Sequence, residues 1–184
     1  RHRCAAADQS MTSMIAQALR RLRPTENAMM TLDIPGFGPL RLSHLVSDFT
    51  GTLSVDGQLL PGVGERLRAI AEHLHIHILT ADTFGTALTA MDGLPVEIIL
   101  LNGANHDVQK EAYVQQLETG TVVAFGNGNN DRRMLKTARV GLAVSQGEGC
   151  AVAALMAADV HVTSAVVGLD LLLHPQRLKA TLRF

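Results

Sequence analysis

Asp48-Phe49-Thr50-Gly51-Thr52 is the stretch best suited to chemistry in this 184-residue chain. Its carboxylate closes an apolar run, Leu45-Val46, and a glycine flanked by threonines follows at once. A strand that delivers one aspartate into a tight, glycine-permitted loop can present a nucleophile to a phosphoryl group. The backbone N–H groups of such a loop can face phosphate oxygens, which makes Thr50, Gly51 and Thr52 candidate phosphate contacts. Transfer of a phosphoryl group to an aspartate also needs a hydroxyl to hold its oxygens, a cation to balance charge, and usually Mg²⁺ held by carboxylates and carbonyls. Thr80 can supply the hydroxyl and Lys110 the cation, with Lys136 as a rival. Asp48 and Asp131 are available carboxylates for the metal, and the Thr50 carbonyl is a neutral ligand.

The elements that would position these groups read as α/β from residue 30 onward. Short strands at 31–34 and 40–42 flank Pro35-Gly36-Phe37-Gly38-Pro39. Strands are expected at 43–47, 75–79, 96–101, 121–125, 140–144 and 160–162. Helices are expected at 65–74, 83–91, 107–117, 132–137, 150–157, 165–173 and 176–182. Asp56-Gly57 marks a hairpin turn within 53–60, and Asp82 is the expected N-cap of the helix starting at 83. Strands alternating with helices imply a mostly parallel sheet covered on both faces, a three-layer α/β sandwich. Ligands of such sheets sit at the strand carboxyl ends. Asp48, Thr80 and the Asn127–Asp131 loop all fall there.

Composition narrows the function. With 47% hydrophobic residues the chain can bury a sizeable core. A formal net charge of −1 points to neither nucleic acid nor an anionic membrane, and 3% aromatic content provides no stacking platform for single strands. The two cysteines, Cys4 and Cys150, form no framework and suit a reducing, cytoplasmic setting. Cys150 is expected to pack as a small hydrophobe. No apolar run reaches the length of a membrane span. Residues 1–29 differ from the rest and read as an extension. Within them Met11, Met14, Ile15, Ala18, Leu19 and Leu22 fall at helical spacing beside Arg20, Arg21 and Arg23. Residues 30–184 form the expected catalytic domain. His73, His75 and His77 alternate near a strand and raise zinc as a minor alternative.

Four motifs together resemble the haloacid dehalogenase superfamily: Asp48-Phe49-Thr50-Gly51-Thr52; Thr80-Ala81-Asp82; Lys110 followed by Val114 and Leu117; and Gly126-Asn127-Gly128-Asn129-Asn130-Asp131. Within it they look most like the phosphorylation domain of P-type ATPases and soluble proteins related to it, over residues from about 40 to about 165. The resemblance implies an aspartyl-phosphate on Asp48. It places the phosphoryl group among Thr50, Gly51, Thr52, Thr80, Ala81, Lys110 and Asn130, and Mg²⁺ among Asp48, the Thr50 carbonyl, Asn127 and Asp131. Three departures matter. Thr50 stands where many phosphatases of the family carry an acid–base Asp, help worth about 10²–10⁴-fold. Asn127 stands where the family usually has a metal-binding Asp, which implies weaker Mg²⁺ affinity. Ala81 stands where the ATPases carry Gly.

The short gaps between Asp48 and Thr80 and between Thr80 and Lys110 leave no room for a cap or a nucleotide-binding domain. No Walker-type loop is present. The chain as given is therefore expected neither to pump ions nor to bind ATP specifically. Its site is expected to be open to water and large substrates, or covered by another copy of the chain. The expected function is an Mg²⁺-dependent phosphohydrolase acting on a phosphorylated small molecule or macromolecule. The alternatives are a phosphate-responsive module that turns over negligibly, and an interaction domain with a dead site.

Overall fold

The computed structural model describes residues 29–81 and 85–184. The chain opens with β1 (Met30–Ile34) and β2 (Gly38–Leu42), an antiparallel hairpin. β3 (His44–Asp48) follows, then a second hairpin of β4 (Ser54–Val55) and β5 (Gln58–Leu59). Asp56 and Gly57 at its tip both adopt positive φ, 51° and 74°, the backbone that a tight two-residue turn requires. Helix α1 (Val63–Ile70), β6 (His75–Thr80), α2 (Thr86–Ala90), β7 (Glu97–Leu100) and α3 (His106–Gln116) come next. Then follow β8 (Val122–Gly126), α4 (Arg132–Thr137), β9 (Val140–Val144), α5 (Val152–Ala157), β10 (Val160–Val162), α6 (Ala165–Leu173) and α7 (Pro175–Leu182).

Six strands form one parallel sheet in the order β10-β9-β8-β3-β6-β7. The strands are apolar on both faces, as burial under helices on either side demands. Leu45, Ile76, Ile78, Val123 and Phe125 point to one face, where α1, α6 and α7 bring Leu67, Leu169 and Leu178. Val46, Leu79, Val122 and Ala124 point to the other, against Val114 of α3 and Met134 and Leu135 of α4. The expected three-layer α/β sandwich is the observed one. The β1–β2 hairpin adds Leu32, Ile34, Leu40 and Leu42 to the first layer.

Three helices differ from their sequence pattern, and the one expected at 150–157 begins at Val152. The helix expected at 65–74 ends at Ile70, and residues 71–74 continue as turns. The helix expected from 83 is described only over Thr86–Ala90, with Gly85 at its N-cap in the left-handed region. Asp82, expected to cap it, lies outside the described residues, as does the amphipathic pattern over 11–22.

Candidate active site

β3 is central, with β8 on one side and β6 on the other. This strand order alone brings three loops together. Asp48 ends β3, Thr80 ends β6, and Asn127 follows the end of β8. All three line a cavity of about 640 Å³, with Thr50, Ala81, Lys110, Gly128 and Asn130.

Lys110 crosses from α3 to the floor of this cavity. Its Nζ donates to Oδ1 of Asp48 and to Oδ1 of Asp131, each at 2.6 Å. The lysine is 1% exposed and Asp131 fully buried. Burial opposes charge on Lys110, but the two carboxylates outweigh it and hold its pKa above the ordinary lysine value. Burial pushes the Asp48 carboxyl up to about 6; Lys110 pulls it down and Asp131 adds to the rise. Two acids and one base leave the floor one negative charge in excess when all three are ionised.

Both oxygens of Asp131 accept hydrogen bonds. Its Oδ2 accepts from the backbone N–H groups of Asn127 (3.0 Å) and Gly128 (2.8 Å), while Oδ1 holds Lys110. It is absent from the cavity lining. The sequence reading placed it among the metal ligands; in the structure it contacts the Lys110 ammonium and the backbone of Asn127 and Gly128. Gly126 makes this possible, because a Cβ there would lie 2.5 Å from the Asp131 Cβ.

Thr52 was likewise expected to face phosphate. Its N–H instead turns back to the Phe49 carbonyl at 3.2 Å. Its buried hydroxyl lies 2.9 Å from Oδ1 of Asn127 and 3.2 Å from Oδ2 of Asp48. One hydroxyl carries one proton, so it serves one acceptor at a time. Gly51, at φ 77°, lets this loop approach: a Cβ there would run into the Asn127 amide. Neither Gly51 nor Thr52 lines the cavity, whereas Thr50, Thr80, Ala81 and Asn130 do.

The loop between β9 and α5 also grips the site, and no motif in the sequence pointed to it. Gln146 Nε2 donates to the carbonyls of Thr52 (2.8 Å) and Gly51 (3.3 Å), and its Oε1 accepts from the Ala165 N–H at 2.9 Å. Asn127 Nδ2 donates to the Gly149 carbonyl at 3.1 Å, and the Ala151 N–H returns to the Asn127 carbonyl at 2.8 Å. The available signal was position: this Gly-containing loop leaves a strand carboxyl end beside β8.

These features agree with comparisons to known proteins. A profile of haloacid dehalogenase-like hydrolases matches residues 105–164, which include Lys110, Asn127 and Asp131. An uncharacterized protein of Methanocaldococcus jannaschii is 44% identical over 62 residues, 34% of this chain and 67% of that one. This chain belongs to the haloacid dehalogenase-like hydrolases. Solved structures share the fold. The 3-deoxy-D-manno-octulosonate 8-phosphate phosphatase of Moraxella catarrhalis superposes with a TM-score of 0.57 at 18% identity, over 76% of this chain and 90% of that one. A zinc-transporting PIB-type ATPase in its E2·Pi state gives 0.54 at 24% identity, over 67% of this chain and 20% of that one. The haloacid dehalogenase-like fold thus accounts for the strand order that gathers Asp48, Thr80 and Asn127. No helix among the described residues is long and apolar enough to cross a membrane.

The histidines meet at the other end of the sheet. His44 pairs in register with His75, and their rings stack at 5.4 Å. His44 Nδ1 lies 3.0 Å from His77 Nε2, and His77 Nδ1 lies 3.0 Å from the Tyr113 hydroxyl and 3.3 Å from Glu97 Oε2. Burial holds His44 down to about 4 and His77 down to about 3, with neighbouring imidazoles adding to both. Among the described residues no three His, Cys, Asp or Glu side chains are placed to hold a metal. That result counts against the zinc alternative.

Proposed function

We propose that this protein is a phosphohydrolase working through an aspartyl-phosphate on Asp48. The observation that carries the reading is the buried row Asp48–Lys110–Asp131 beneath an open cavity. One Asp48 oxygen attacks phosphorus, the bond to the leaving oxygen breaks, and that oxygen takes a proton from solvent. Water then attacks phosphorus and displaces the Asp48 carboxylate, releasing inorganic phosphate and a proton to solvent. Lys110 stays protonated throughout, because Asp131 remains beside it. Its charge is set where negative charge gathers on the phosphoryl oxygens. Thr80, Ala81 and Asn130, which line the cavity, complete the phosphate contacts. A phosphatase with a magnesium and phosphate complex among the fold neighbours supports the same reading.

A divalent metal fits the donors present. Asp48, the Thr50 carbonyl and the Asn127 amide are all oxygen ligands bordering the cavity, the donor type that Mg²⁺ requires. When bound, Mg²⁺ would neutralise charge on the phosphoryl group. With Asn127 neutral and Asp131 outside the lining, one carboxylate remains for it at the cavity floor, so its affinity should be low.

Thr50 favours a second outcome. Thr50 lines the cavity and carries no carboxylate, so this position gives water attacking the phosphoenzyme no strong base. The protein then serves as a slow, phosphate-responsive switch. One experiment covers both: incubate with Mg²⁺ and acetyl phosphate, quench in acid, and follow protein-bound and free phosphate. Wild type should give a burst of label, then turnover, and Asp48→Asn should give neither. Equal rates in the two proteins would refute the mechanism; label without turnover would establish the switch.

A further inference from the structure

We propose that the cavity selects phosphomonoesters whose leaving group is neutral or cationic and rejects those with a second anionic group. The inference rests on the phosphohydrolase reading and concerns the outer wall of the same cavity. Above the floor the lining is Asp56, Gly57, Thr86, Leu101, His106 and Glu148. Two of these are carboxylates and none is Lys or Arg. Among the described residues Lys110 is the only Lys or Arg in the lining, and both of its carboxylate partners are already in place. A second phosphate or a carboxylate on the substrate would therefore meet negative charge above and find no cation among the lining residues to answer it.

The two carboxylates are held by backbone geometry. Asp56 sits at the hairpin tip in the left-handed region, φ 51°. Its backbone N–H donates to Glu148 Oε1 at 2.9 Å. This bond joins the β4–β5 hairpin to the loop after β9, and so places both acids on the same side of the mouth. They are exposed, so each is screened and contributes only a few-fold per unit of substrate charge. Changing the leaving group from one negative to one positive charge involves both acids twice over, for about tenfold or more in total. Leu101 and Thr86 supply the uncharged remainder of the wall.

Three esters of one size test this: phosphoethanolamine, 2-hydroxyethyl phosphate and 2-phosphoglycolate, with Mg²⁺ at fixed ionic strength. kcat/KM should fall in that order, at least tenfold from first to last. The double variant Asp56→Asn/Glu148→Gln should compress the range to about threefold. Asn tolerates positive φ, and Gln keeps the acceptor for the Asp56 N–H, so the wall retains its shape. His106→Gln, measured alongside, separates the imidazole from the carboxylates and should leave the order intact. Phosphoglycolate turned over as fast as phosphoethanolamine, or an undiminished range in the double variant, would overturn the selectivity while acetyl phosphate turnover still stood. Failure of every phosphate, acetyl phosphate included, would overturn the phosphohydrolase reading itself and this inference with it.

Discussion

Replacing Lys110 by methionine keeps most of the side-chain volume and removes the charge between Asp48 and Asp131. Both carboxylates are buried and both contact Nζ at 2.6 Å, so the variant leaves two acids facing one another with no counter-ion. Breaking a buried pair in this way costs about 3–5 kcal/mol. The cost depends on pH in a definite direction. In the wild type, burial already raises the Asp48 carboxyl to about 6; without Lys110 it must rise further, because the larger downward pull is gone and only the Thr52 hydroxyl still opposes the rise. A carboxyl whose folded pKa exceeds its unfolded value gives stability that is full below the unfolded pKa and lost as pH rises through the folded one. Between pH 6 and 8 the wild-type acid has largely ionised while that of the variant retains its proton. Each such pH unit widens the gap by about 1.4 kcal/mol. The stability difference should thus be about 3–5 kcal/mol at pH 8 and smaller by about 2–3 kcal/mol at pH 5. Urea unfolding of both metal-free proteins at the two pH values measures it. A difference under about 1 kcal/mol at pH 8, or one that does not shrink on acidification, would refute the buried triad.

Asn127→Asp should bind Mg²⁺ more tightly, since it restores a carboxylate beside Asp48. Without metal it should be less stable by about 1 kcal/mol, because the Asn127 Nδ2 donor to Gly149 is lost. A Mg²⁺ titration followed by thermal unfolding checks both, and an unchanged Mg²⁺ midpoint would remove Asn127 from the metal. At the far end of the sheet, His44 and His77 have folded pKa values depressed below 6.5. Their stability contribution is therefore full above about pH 6.5 and lost as pH falls through their folded values. His77→Phe should show a shallower loss on acidification, by up to about 1.4 kcal/mol per pH unit below pH 6; parallel urea-midpoint curves would refute it.

The fold was legible because its signals are local. Leu45-Val46 and Val122–Phe125 are apolar on both faces, which only a doubly covered sheet explains. Asp56-Gly57 announces its turn by the positive φ that both residues adopt. Which residues meet was also legible, since Asp48, Thr80 and Asn127 each follow a strand. What each side chain does there was not. Thr50 and Thr52 are the same residue type two positions apart, yet one lines the cavity and the other is buried. The difference lies in three N–H groups, of Thr52, Leu53 and Ser54, that converge on the Phe49 carbonyl. That Asp131 also holds two backbone N–H groups and Lys110 is not written in its position after Asn130. The pairing of His44 with His75 and His77 depends on strand register, which the alternation of His73, His75 and His77 does not contain.

The loop after β9 carries no residue at the phosphate floor, yet it sets that floor relative to the mouth. Gln146 holds the carbonyls of Gly51 and Thr52 from one side. Gly149 and Ala151 hold Asn127 from the other. Glu148, between them, meets the hairpin at Asp56. The Asp48 loop, the Asn127 loop and the acidic wall are therefore referred to one short segment instead of to three separate strands. This matters in a protein with no cap between Asp48 and Lys110. Here the Glu148 carboxylate is held by a hydrogen bond to the hairpin that follows the Asp48 loop. Selectivity and phosphoryl transfer should then change together when this segment is altered, and substitutions at Gln146 should disturb both although its side chain touches neither phosphate nor leaving group.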